Sequence, residues 1–157
     1  VFKRKIFMEK INHAEKAKSL FENGYNCCQA VLCAYADELG IDQNTALKIA
    51  SSFGGGMGRL REVCGAVSAM FAIAGLKKGY TSPNDDVIKA KHYELIQSLA
   101  EEFKSKFGTI ICRELLELPE GKDSPIPSKR TEEYYQTRPC EAFIKYASEI
   151  VEKKLLD

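Results

Sequence analysis

No sign of charge dominates this chain. Its 157 residues carry 23 Lys and Arg against 22 Asp and Glu, a formal net charge of +1. Nucleic-acid binders show a basic footprint and disordered tails an acidic excess, so neither class fits. Long hydrophobic runs are missing too. The longest uncharged apolar stretch, Val63 to Leu76, holds 14 residues, against the ~20 a spanning helix requires. It predicts a buried helix and no membrane insertion. A secretory signal is also lacking. Val1 to Phe7 is basic, but no apolar core and small-residue cleavage site follow. Met8 opens a more conventional start, so residues 1–7 read as an extension. Without an export signal the expected location is cytoplasmic, where thiols stay reduced. No alternating strand pattern and no internal repeat occur. At this length one domain is expected over 1–157.

The familiar cysteine arrangements are equally absent. There is no C-x-x-C, which removes the thioredoxin-type dithiol and the zinc-ribbon knuckle, and no C-x-x-C-H, which removes covalent haem. Six cysteines are too few for a disulfide scaffold. Adjacent Cys27 and Cys28 point about 100° apart on a helix and do not pair easily. The glycines of 54–58 match neither a P-loop nor G-x-G-x-x-G.

What is present has a helical period throughout. Helices are predicted over 10–22, over 27–39 after an Asn26 cap, and over 44–53 after Asp42. Another runs from Leu60 to Lys78. A long one starts at Asn84 or Asp85 and stops at Gly108, and a short one covers Ile111 to Leu118. A last one runs from Pro139 to about Lys154. The segment 119–128 contains three prolines and a glycine and is a loop, long enough to move or to cover something. The expected fold is an all-α single-domain bundle of six or seven helices. Its centre is the helix near 60–78, apolar around nearly its whole circumference. Cys64 and the small residues Gly65, Ser68, Ala69, Ala72 and Gly75 form one stripe of it.

Four cysteines share one setting. Cys27, Cys64, Cys112 and Cys140 all fall near predicted helix starts, with Thr109 and Thr137 as candidate caps for the last two. Free N–H groups and the helix dipole favour an anion there. Arg61, Arg113 and Arg138 stand close in sequence to three of them. That setting lowers a thiol's pKa and favours thiolate, the form that attacks disulfides and binds metals. Packing is the competing account, because free cysteine also serves as a small buried hydrophobe. It suits Cys28, on the apolar arc of its helix. Cys33 falls on the polar arc, as a solvent-facing or interface thiol. The glycines at 54–58 read first as a tight turn needing positive φ. The alternative is a ligand loop in which Gly55, Gly56 and Gly58 expose backbone amides, with Arg59 and Arg61 in reach. His13 and His92 read as surface or core-edge residues.

Asn26-Cys27-Cys28-Gln29-Ala30-Val31 resembles an N-C-x-Q-A-V segment, and Cys64-Gly65-Ala66-Val67-Ser68-Ala69 after the glycines resembles C-G-A-x-x-G. Cys112-Arg113-Glu114-Leu115 and Cys140 resemble two later cysteines. Together they resemble the family named for its C_GCAxxG_C_C pattern, from about Met8 onward. The resemblance implies a redox role and places the four family cysteines on Cys27, Cys64, Cys112 and Cys140. Ala69 departs from the pattern's last glycine by one methyl. The family also resembles the terminal part of a haem-holding cytochrome, but without an attachment motif haem is not carried over.

Three functions are then expected, in this order. The first is dithiol/disulfide exchange through Cys64 with another of the four, needing no cofactor and serving a redox partner protein or small thiol. The second is a metal site in which Cys27, Cys64, Cys112 and Cys140 hold zinc or an iron–sulfur cluster, with arginines offsetting the charge. The third is a helical interaction module, which an oligomer would suit.

Overall fold

The computed structural model describes residues 11–156. The expectation for residues 1–7 lies outside the described residues. Among those described, the fold is all-α: α1 (His13–Glu22), α2 (Cys27–Leu39), α3 (Gln43–Ser51), α4 (Gly54–Met57), α5 (Gly65–Lys78), α6 (Asp86–Phe107), α7 (Cys112–Leu115), α8 (Glu132–Thr137) and α9 (Cys140–Lys154). None of these helices is long and apolar enough to cross a membrane.

Local signals set most boundaries. Asn26 and Gln29 form a reciprocal capping box at α2: the Asn26 side chain accepts from the Gln29 N–H, and the Gln29 side chain accepts from the Asn26 N–H. Asp42 caps α3 and Asp85 caps α6, while Gly40 and Gly108 end α2 and α6 in the left-handed region. Helix α8 was not expected. Thr131 caps it by accepting from the Tyr134 N–H, and Glu132 and Glu133 suit its first turn.

Helices α2 and α5 pack on each other, and α9 and α6 close around them. Val31, Leu32 and Tyr35 of α2 meet a core shared with Val67, Met70 and Ile73 of α5. Full burial of such side chains stabilises the fold by about 1.5–3 kcal/mol each. Helix α5 is buried or half-buried from Gly65 to Ala74, and exposed from Gly75 onward, so its last turn leaves the core. Ala69 is fully buried, so its methyl is accommodated in the core. Cys28 is core, as expected. Cys33 is core as well: it has no exposed surface, which corrects its reading as a solvent-facing thiol. His13 is 5% exposed, stacked on Tyr35 and paired with Glu38 and Glu152. His92 lies edge-on to Tyr80.

One expected boundary fails in a way that matters. Residues 60–64 are not helical. Met57, Arg59 and Arg61 take positive φ of 68°, 64° and 60°, a strained choice for side-chain-bearing residues. The segment instead runs antiparallel to 110–113. Cys64 N–H donates to Ile110 O at 2.8 Å, Cys112 N–H to Glu62 O at 2.6 Å, and Arg113 N–H to Arg61 O at 3.2 Å. This short pairing brings the starts of α5 and α7 side by side.

Candidate functional site

The starts of α2, α5, α7 and α9 converge on one cavity of about 320 Å³. Cys27, Cys64, Cys112 and Cys140 all line it. Cys27 and Cys140 are half-buried, and Cys64 and Cys112 are buried. The capping box holds Cys27 in the first turn of α2, and Asn26 and Gln29 also donate to Ser51 O and Leu47 O of α3. Cys64 is the cap residue of α5, without a side-chain cap hydrogen bond. Cys112 and Cys140 open α7 and α9 without a side-chain cap. Thr109 instead accepts from Ile111 N–H, and Thr137 donates to Glu133 O, so neither takes its expected capping role.

Glycines make the close approach possible. A methyl on Gly65 would sit 2.5 Å from Cys27 Sγ and 2.8 Å from Phe53 O. Gly65→Ala is therefore expected to destabilise the protein by about 1–3 kcal/mol and to displace the Cys27 sulfur. Urea unfolding checks this, and an unchanged midpoint would refute it. Gly55 and Gly56 adopt positive φ of 71° and 70°. Gly55 and Gly58 line the cavity. Gly56 does not: it is buried behind, where a methyl would meet Cys112 Cβ at 2.6 Å. Both readings of 54–58 thus hold in part, since the turn needs its glycines and two of the three line the cavity.

Arginines surround the sulfurs. Arg61 is 4% exposed, and its Nη1 donates to Cys112 Sγ at 3.5 Å while Nη2 pairs with Asp123 at 2.9 Å. Burial works against its charge, but the bonds to Cys112 and Asp123 more than offset that and raise its pKa. Arg59 pairs with the same carboxylate at 3.0 Å and donates to Ser124 O. Arg61 and the Ser124 N–H hold the Asp123 carboxyl below its usual range. These bonds draw the 119–128 loop over the cavity, where Pro125 and Pro127 form part of its wall. Arg138 lines the cavity too. Arg113 turns away to Glu62 at 3.5 Å.

The expected lowering of thiol pKa is not what this burial produces. Burial pushes Cys27 up, with the nearby backbone of Gly55 opposing, and Cys112 adds to the rise. It pushes Cys64 well up, with Cys27 adding to it. Cys140 is pushed up to about 12, by burial first and then by Cys27 and Cys112, while Arg138 and Arg130 oppose. Helix dipoles are present, but removal of water outweighs them. Among the described residues, no three His, Cys, Asp or Glu side chains are grouped so as to hold a metal.

Sequence reading missed Arg130. It stacks over Phe21 at 4.5 Å and Tyr134 at 5.0 Å and donates to the carbonyls of Phe21 and Tyr25. Nothing in its neighbourhood in sequence distinguishes it from a surface arginine.

A family described as "Putative redox-active protein (C_GCAxxG_C_C)" matches residues 25–154. The chain belongs to that family. The matched span begins just before the capping box of α2 and includes all four cavity-lining cysteines of this C_GCAxxG_C_C protein. No curated protein and no solved structure matches the chain.

Proposed function

We propose that this family member is a dithiol/disulfide exchange protein in which Cys112 attacks and Cys27 resolves. The observation that carries the reading is the buried Arg61 guanidinium donating to Cys112 Sγ at the wall of a cavity lined by all four thiols. A fixed cation beside a sulfur favours the thiolate, and thiolate is the attacking species.

The exchange balances without a cofactor. Cys112 thiolate attacks one sulfur of a substrate disulfide, forming a mixed disulfide and releasing one thiolate. Cys27 loses its proton to solvent and attacks the Cys112 sulfur. The Cys112–Cys27 disulfide forms and the second substrate thiolate leaves. The substrate gains two electrons and the protein dithiol loses them. Two equivalents of a thiol from a redox partner return them. The cytoplasm, which keeps thiols reduced, suits that cycle.

The metal reading is weaker, because the four sulfurs share a cavity wall without a three-ligand cluster. A redox titration with mass-spectrometric thiol counting tests the proposal. The expected result is one reversible two-electron step that consumes two thiols per chain. Retention of all six thiols across the physiological range of potential would end it.

A further inference from the structure

The charge around the cavity is far from the balance of the chain. Four arginines line it, Arg59, Arg61, Arg130 and Arg138, and no Asp or Glu does. Arg59 and Arg61 share the single carboxylate of Asp123 just outside. Arg130 and Arg138 have no carboxylate partner among the described residues. Arg130 is fixed by two backbone carbonyls, which leave its charge intact. Arg138 lies 5.5 Å over the Tyr134 ring, and the described residues offer its guanidinium no hydrogen-bond acceptor. Both are half-buried and line the same cavity as Cys140. Two half-buried cations side by side without a carboxylate repel each other and attract an anion. The cavity's volume of about 320 Å³, under the 123–128 strap, sits at the small end of ligand pockets.

We infer that the disulfide reduced here is a small anionic one, whose carboxylates dock on Arg138 and Arg130 while its sulfurs face Cys112 and Cys27. This rests on the exchange reading and adds the substrate's class to it. Arginine suits the task because its planar donors grip a carboxylate in two places. The size of the covered cavity favours a small molecule over a segment of folded protein.

Three disulfides of similar length test the inference: 3,3′-dithiodipropionate, bis(2-hydroxyethyl) disulfide and cystamine, which carry negative, no and positive charge. Each rate of oxidation of the reduced protein is divided by that disulfide's rate with free cysteine, which removes intrinsic reactivity. The dianion is expected to lead the neutral compound by about tenfold at low salt, with the dication slowest. Added salt narrows the spread. Arg138→Gln is expected to cut the anion-to-neutral ratio several-fold. Lys48→Gln, the same charge change on an exposed face of α3, should leave the ratio alone. Equal normalised rates, a lead for cystamine, or an unchanged ratio in Arg138→Gln would overturn the inference. If no disulfide oxidises the protein, the exchange reading fails instead. Calorimetry with 3,3′-dithiodipropionate and its diamide then decides the charge selection separately: tighter binding of the dianion supports it, and equal binding overturns it.

Discussion

Cys112→Ser is expected to leave the protein unable to open a disulfide at neutral pH, whereas Cys27→Ser opens one and stalls. The asymmetry follows from what each sulfur touches. Cys112 has the Arg61 guanidinium at 3.5 Å. Burial pushes Cys27 up, with the nearby backbone of Gly55 and Cys28 opposing. Attack therefore starts at Cys112, and its loss lowers the exchange rate by at least about a hundredfold, since serine is no nucleophile here. Loss of Cys27 removes the resolving thiol. The mixed disulfide on Cys112 then accumulates, and intact-mass spectrometry sees it as one substrate adduct per chain. Cys28→Ala behaves as wild type in exchange, because Cys28 sits in the core beneath the site. Each Cys→Ser change costs on the order of 1–2 kcal/mol, within the 5–15 kcal/mol typical of a domain, and circular dichroism verifies the fold. An adduct that accumulates in Cys64→Ser and not in Cys27→Ser would assign resolution to Cys64. An active Cys112→Ser protein would remove the attacking role altogether.

The cysteine set was legible because the features that hold it are local. Asn26 and Gln29 are the two ends of one capping box, so N-C-x-Q is a helix start written out in sequence. The glycines of 54–58 mark positive φ, and Gly65 marks the place where a backbone passes Cys27. The apolar period marks α2 and α5. From such signals the all-α class and the four cavity thiols follow.

What was not legible depends on distance. The pairing of 61–64 with 110–113 uses backbone groups, to which side-chain pattern is nearly blind. Its apolar sequence continues the helical period, so the start of α5 reads five residues early. Arg59, Arg61 and Asp123 meet across more than sixty residues, and their convergence is what turns a proline-rich loop into the cavity's cover. Arg130 acts through aromatic faces from α1 and α8. The sign of the thiol shifts was likewise hidden. Dipole and arginine are visible in sequence, while the loss of water that outweighs them appears only after folding.

That loss of water predicts a steep fall in stability on the alkaline side. Cys27, Cys28, Cys33, Cys64 and Cys140 all have raised pKa values in the folded protein, each with burial as the first cause. An unfolded cysteine titrates near ~8.5. Between that value and the folded one, the native chain holds protons the unfolded chain has released, so stability must fall as pH rises. The direction is opposite to that of a buried carboxylate pair, whose contribution disappears in acid. Each such thiol costs about 1.4 kcal/mol per pH unit above ~8.5. By pH 10, Cys140 alone, with its pKa at about 12, removes about 2 kcal/mol, and the other raised thiols act in the same direction. Urea unfolding under reducing conditions at pH 7.5 and pH 10 measures the fall. Cys28→Ala, which removes one titrating group from the core, is expected to make the fall shallower. A midpoint constant from pH 8 to pH 10 would mean that the sulfurs reach water in the folded protein. The cavity would then lack the dry wall in which Arg61 is set beside Cys112.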